Sequence, residues 1–174
     1  MPNLFIRSPQ GYFVAHNATL TGDLSIAAES SFWFNVVVRG DVAPISIGRR
    51  VNVQDSSIIH CDTGIPHIIE DDVSIGHGAI VHGKFVGRGT LIGMGAIVLS
   101  ESVIGEECLI AAGAVVSPNV TIPARSVVMG VPGRVVRPVN QKDLDYFKIT
   151  NARYIELAKS YLSGNDTIRN LKSE

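Results

Sequence analysis

The chain has 174 residues, 45% of them hydrophobic, and a formal net charge of −1, the size and balance of one soluble globular domain. No basic patch points to nucleic acid, the opening MPNLFIRSPQG has no apolar signal core, and no stretch approaches the ~18 unbroken apolar residues of a membrane span. Two cysteines, Cys61 and Cys108, form neither a disulfide framework nor a zinc-ribbon spacing, so a reducing, cytoplasmic setting with free thiols is expected.

Seventeen glycines against only 6% aromatic residues make internal repeats the first thing to test. In chain order, a large apolar residue recurs at every sixth position through Val14, Leu20, Ile26, Phe32 and Val38. After the insertion RGDVAP the period resumes through Ile47, Val53 and Ile59, and after HCDTGIPH through Ile69, Ile75 and Val81. A one-residue deletion separates Val81 from Val86, and from there the series runs unbroken through Ile92, Val98, Ile104, Ile110, Val116 and Ile122 to Val128. Four residues after each large side chain stands a mostly small one, among them Ser30, Ser57, Ala79, Thr90, Ala96, Ser102, Cys108 and Ala114. Both registers must point inward. This predicts an all-β solenoid, a parallel β-helix over 11–138 in which three short strands close one triangular coil. Gly76, Gly87, Gly93 and Gly105 then fall where the chain turns. The class of hexapeptide-repeat solenoids that this pattern resembles is left-handed, and that hand is expected here, against the usual right-handed crossover.

Beyond Val128 the period stops, and Pro132 and Pro138 break the pattern. A C-terminal α-helix is predicted from about Gln141 to Leu162, with Asn140 as N-cap and Gly164 past its end, so that 139–164 forms a second unit. Its apolar residues Leu144, Phe147, Ile155 and Leu162 would lie against the solenoid or a neighbouring chain, and 165–174 is expected to be a flexible tail.

The solenoid register places the chemistry. His60 follows Ile59 and His82 follows Val81, so they hold the same position in consecutive coils and stack ~4.8 Å apart, close enough to share a metal. His77, two residues after Ile75, belongs to the preceding side of the triangle and points about 120° away. In a threefold homotrimer the His77 corner of one subunit can face the His60/His82 column of the next. The five-residue spacing in SIGHGAIVHGKF therefore reads as a metal site shared between subunits. By the same construction Arg39 extends the His60/His82 column and Asp55 the His77 column. An Arg39–Asp55 pair across the interface is then expected, with Phe34 and Met94 as apolar interface contacts. His16 reads as a solvent or interface residue, His67 as a loop residue, and Cys61 as a partly buried structural thiol.

The blocks WFNVVVRGD, NVQDSSIIH and GHGAIVHG resemble the motifs of the gamma-class carbonic anhydrase family, left-handed β-helix trimers with zinc at subunit interfaces. The resemblance covers about Gly11 to Pro138. It implies His60, His77 and His82 as metal ligands, and Arg39, Asp41 and Asp55 as interfacial ion-pair residues. It also implies Gln54 as a hydrogen-bond partner of metal-bound hydroxide and Asn52 as a pocket asparagine. Zinc is the implied cofactor, with iron or cobalt as alternatives; three neutral imidazoles leave such a metal an open position for water, whose pKa falls to ~7. The implied reaction is reversible hydration of carbon dioxide to bicarbonate. The chain departs from the family's best-characterised type in its proton relay, because the loop CDTGIPHI has no glutamate and Val42 stands where that type has another. Asp62 and His67 are the candidate relays, and Tyr154 and Asn151 the candidates for the family's C-terminal tyrosine and asparagine. Two other readings compete. One is a thioesterase or acyltransferase acting on a coenzyme A ester, since acyltransferases of the same solenoid class share the repeat and GVPGRVVRP; the other is a non-catalytic trimer that keeps a metal for stability.

Overall fold

A six-residue repeat closes a triangle only if each short strand is followed by a turn that bends the chain through a third of a circle. In the computed structural model, which describes residues 4–163, the corners do this with two-residue turns whose second residue is left-handed. Ser56, Glu101, Glu107 and Asn119 take φ of 60°, 56°, 52° and 60°, and Gly95 takes 64°. Gly76, Gly87, Gly93 and Gly105 have a different reason for being glycine. A Cβ on Gly76 would stand 2.7 Å from the Met94 nitrogen of the next coil, so the requirement there is close approach between coils.

Strand β1 (Phe5–Arg7) pairs antiparallel with β2 (Phe13–Ala15), which starts the first face. The long strands β3 (Thr19–Ile26) and β5 (Val37–Ile47), separated by β4 (Ser31–Phe32), each run along the second face, turn a corner and continue on the third. RGDVAP is therefore the bend in β5 and not a loop. Gly40 stacks there on Gly22, whose Cβ would fall 2.3 Å from the Gly40 carbonyl carbon. Later coils have three separate strands each: β6 (Asn52–Val53), β7 (Ile58–Ile59) and β8 (His67–Ile69), then β9 (Ser74–Ile75), β10 (Ile80–Val81) and β11 (Phe85–Val86). They continue through β12 (Leu91–Ile92), β13 (Ile97–Val98) and β14 (Val103–Ile104), and through β15 (Leu109–Ile110), β16 (Val115–Val116) and β17 (Thr121–Ile122). Strand β18 (Ser126–Met129) extends the first face and β19 (Arg134–Pro138) folds back on it. The result is a left-handed parallel β-helix of about six turns.

The sixth-position residues from Phe32 to Val128 are buried, each contributing about 1.5–3 kcal/mol. Val14, Leu20 and Ile26 are only half-buried, because the first coil has no coil beneath it. The polar members of the small register have a structural role. Ser30, Ser57 and Thr90 donate to the carbonyls of Gly48, Gly76 and Gly105 at 2.7, 2.9 and 2.9 Å, satisfying turn backbone inside the core. On the outside of the second face Val37, Ile58, Ile80, Ile97 and Val115 pair coil to coil as one apolar row.

Helix α1 (Gln141–Leu162) covers the first face. Asn140 is its N-cap, accepting from the Asp143 amide while the Asp143 carboxylate accepts from the Asn140 amide. Phe147, Asn151 and Ala158 are buried beneath it, and Tyr154 and Tyr161 pack on Trp33 with ring centroids 5.2 and 5.4 Å away. The Asn151 side-chain amide ties the helix to the solenoid by donating to the Arg50 carbonyl at 2.7 Å. The expected helix-end residue Gly164 and the tail 165–174 lie outside the described residues. No helix among the described residues is long and apolar enough to cross a membrane.

Candidate metal centre

The site is built at the two corners that flank the second face. Because Ile59 pairs with Val81, the next residue of each strand, His60 and His82, leaves the ladder at the same height on adjacent coils. Their rings lie 5.1 Å apart, and His60 Nδ1 faces His82 Nε2 at 3.1 Å. Two imidazoles on a tetrahedral zinc with bonds of about 2.05 Å present nitrogens about 3.3 Å apart, so this pair has the spacing that a shared metal requires. His77 leaves β9 at the opposite corner. Its Nδ1 meets Asp55 Oδ2 at 2.8 Å and its Nε2 meets the Tyr154 hydroxyl at 3.1 Å. Among the described residues of one chain, no group of three His, Cys, Asp or Glu side chains gathers to hold a metal.

The donor chemistry fits a metal. An imidazole ligates through one nitrogen, and the other must give its proton to an acceptor. All three histidines have a carboxylate on that side: Asp41 Oδ1 is 3.1 Å from His60 Nε2, Asp55 sits on His77 Nδ1, and Asp62 Oδ2 is 3.8 Å from His82 Nδ1. Ser100 Oγ lies between, 3.4 Å from His82 Nδ1 and 3.2 Å from Asp62 Oδ1. Neither Ser100 nor this use of the carboxylates was visible in the repeat, since both depend on side chains from different coils meeting at a corner.

The remaining candidates divide by position. Within the chain Arg39 pairs with Asp41, and its guanidinium, with a smaller effect from His60, holds the Asp41 carboxyl below the usual carboxylate range. Gln54 and Asn52 are buried and linked: Gln54 Nε2 donates to Asn52 Oδ1 at 3.0 Å, and Asn52 Nδ2 donates to Ser74 Oγ at 2.7 Å. This leaves Gln54 Oε1 as the free end of the amide. Burial, with Asp55 nearby, pushes the Tyr154 hydroxyl up to about 12, so it stays protonated beside His77 at neutral pH. Phe34 packs on Phe5, Trp33 and Tyr161 of its own chain, while Met94 is 59% exposed. His16 is exposed, its ring centroid 6.0 Å from that of Phe34.

His67 requires a correction. It is not a loop residue but the first residue of β8, with 0% exposure, and its register with Ile45 and Ile69 turns it inward. Its Nδ1 lies 3.1 Å from the His60 carbonyl, its Nε2 is buried without a partner, and burial lowers its pKa to about 4. A ring with no solvent face is poorly placed to pass protons to water. Cys61 is likewise fully buried, its thiol donating to the Ala43 carbonyl at 3.3 Å and pushed up by burial.

A groove of about 540 Å³ runs beside His77 between α1 and the solenoid, lined by Gln54, Leu91, Met94, Leu109, Tyr146 and Ile149 among others.

Comparison with known proteins bears on these features. Residues 83–118 match the family model described as bacterial transferase hexapeptide (six repeats). A carbonic anhydrase of Geobacillus kaustophilus is 44% identical over 149 residues, 86% of this chain and 82% of that protein. The mitochondrial gamma carbonic anhydrase 2 of Arabidopsis thaliana is 36% identical over 94% of this chain and 62% of that protein. Among solved structures, a Bacillus cereus protein described as a candidate acetyltransferase superposes with a TM-score of 0.83 at 40% identity, covering 90% of each chain.

Proposed function

The chain belongs to the gamma-class carbonic anhydrase family, and on that premise we propose that it catalyses the reversible hydration of carbon dioxide at metal sites completed between the subunits of a homotrimer. The observation that carries this reading is the His60/His82 pair, nitrogens 3.1 Å apart, with the third histidine held at the far corner of the same face. His60 and His82 of one copy and His77 of the next would hold the metal, each backed by its carboxylate. When bound, a zinc, iron or cobalt ion there supplies the Lewis acidity that makes water nucleophilic near neutral pH.

The protein's own residues supply the rest. Gln54, its amide fixed by Asn52 and Ser74, offers Oε1 to a water proton and so orients the attacking oxygen. Leu91, Met94 and Leu109 make an apolar approach for an uncharged gas. Asp62, half-exposed at the corner, takes the relay role in preference to the buried His67. The threefold arrangement is supported by the row Val37, Ile58, Ile80, Ile97 and Val115, which lies between the two histidine corners and would line the trimer axis.

One observation favours a second reading, hydrolysis of an acyl thioester: the groove beside His77 is far larger than carbon dioxide needs. A single experiment separates the two. Metal content and stopped-flow carbon dioxide hydration are measured on anaerobically purified wild type and His82→Ala. The expected result is about one metal per chain and hydration in wild type, and neither in the variant. Metal without hydration overturns the proposal and turns the search to acyl-coenzyme A hydrolysis.

A further inference from the structure

The one-residue deletion in the repeat falls at the corner that carries His82. Between β10 and β11 stand only His82, Gly83 and Lys84, whereas the same corner has Leu99 to Ser102 one coil later and Cys61 to Pro66 after His60 one coil earlier. The shortened corner is drawn inward until it leaves no room for a side chain: a Cβ on Gly83 would lie 2.9 Å from Ser102 Oγ and 3.1 Å from Val98 Cγ1. Its neighbours above and below therefore reach past it. Asp62 from one coil and Ser100 from two coils later touch each other at 3.2 Å, over the outer edge of His82.

The proton count in this cluster has one consistent solution. A carboxylate only accepts, so the Ser100 hydroxyl proton goes to Asp62 Oδ1. Ser100 Oγ then has only lone pairs to offer His82 Nδ1, 3.4 Å away, and Asp62 Oδ2 faces the same nitrogen at 3.8 Å. Both neighbours ask Nδ1 to carry the proton. Nε2, on the side facing His60, is left with its lone pair.

We propose that Ser100 and Asp62 form a bracket across the shortened corner that fixes His82 as its Nδ1–H tautomer, presenting Nε2 to the metal. Ser100 is a positioning residue, acting through His82, and Asp62 adds this positioning to its relay role. The inference rests on the reading of His82 as a metal ligand and extends it by naming what sets that ligand's orientation. It also gives the deletion a purpose, since a four-residue corner would place a side chain between Asp62 and Ser100.

The test uses the full chain with zinc alone as probe. In 15N-histidine NMR of the zinc-loaded protein, His82 should be bound through Nε2 with a slowly exchanging Nδ1 proton, and that proton should exchange faster in Ser100→Ala. Zinc affinity by chelator competition should fall about 10- to 100-fold in Ser100→Ala and in Asp62→Asn, with Ser100→Thr restoring it. Binding through Nδ1, or affinities within threefold of wild type, overturns the bracket. If a variant does not fold, the wild-type spectrum alone decides. Should zinc bind without carbon dioxide hydration, catalysis fails as a reading while the bracket is still judged by the tautomer.

Discussion

At the scale of single residues, histidine chemistry here is decided by what stands behind each ring. His60, His77 and His82 are all partly exposed and all face a carboxylate, which keeps one ring nitrogen available as a lone pair. His67, seven residues from His60, is the opposite case: sealed in the core, it is held neutral, with its pKa near 4 against about 6.5 for a free imidazole. The unfolded chain therefore binds one more proton than the folded chain between those values. His67 contributes full stability above pH 6.5, and that contribution is lost as pH falls towards 4, by at most about 1.4 kcal/mol per pH unit. Urea denaturation at fixed protein concentration across this window should show the slope in wild type and lose that component in His67→Leu. Equal slopes would mean that the ring is not the neutral, buried group described.

At the scale of elements, α1 is attached by its first turn and by aromatic packing. The Asn140–Asp143 capping box is joined by Arg137, and this guanidinium, followed by the Asn140 amide, holds the Asp143 carboxyl down to about 2. Because the folded pKa lies below the unfolded one, this contribution is complete above about pH 4 and is lost as pH falls through 2. Asn140→Ala should destabilise the helix by about 1 kcal/mol and move its release to higher pH. The single tryptophan, Trp33, touches Tyr154 and Tyr161 of α1, so its fluorescence reads the docking directly. An acid titration of Trp33 identical in wild type and Asn140→Ala would show that the cap does not hold the helix. Since Tyr154 bonds His77, release of α1 would also uncover one of the candidate ligands.

At the scale of the whole molecule, the two histidine corners lie on either side of one face, and among the described residues of one chain they do not come together. A shared site makes a strict prediction about mixtures. His77→Ala and His82→Ala proteins should each be inactive alone. When co-refolded in equal amounts, a site is intact only where a chain keeping His60 and His82 meets one keeping His77, which random threefold assembly gives at about a quarter of interfaces. Recovery of roughly that share of carbon dioxide hydration supports the shared site; no recovery, with trimers present, means that the ligands come from one chain.

The solenoid was legible in the repeat, because a six-residue period buries every large and small side chain at once, and Ile59 and Val81 in that period carry His60 and His82 into adjacent coils. The sequence also located α1, since Asn140, the break at Pro138 and the apolar spacing from Leu144 are local signals. Packing between coils set which carboxylate stands behind which imidazole, that RGDVAP bends a strand, that His67 points inward, and that Ser100 closes over His82. Those contacts form where side chains from separate coils meet at corners whose length varies. A period fixes the height of a residue on the solenoid, but the direction of its side chain there depends on how much chain the neighbouring corners contain.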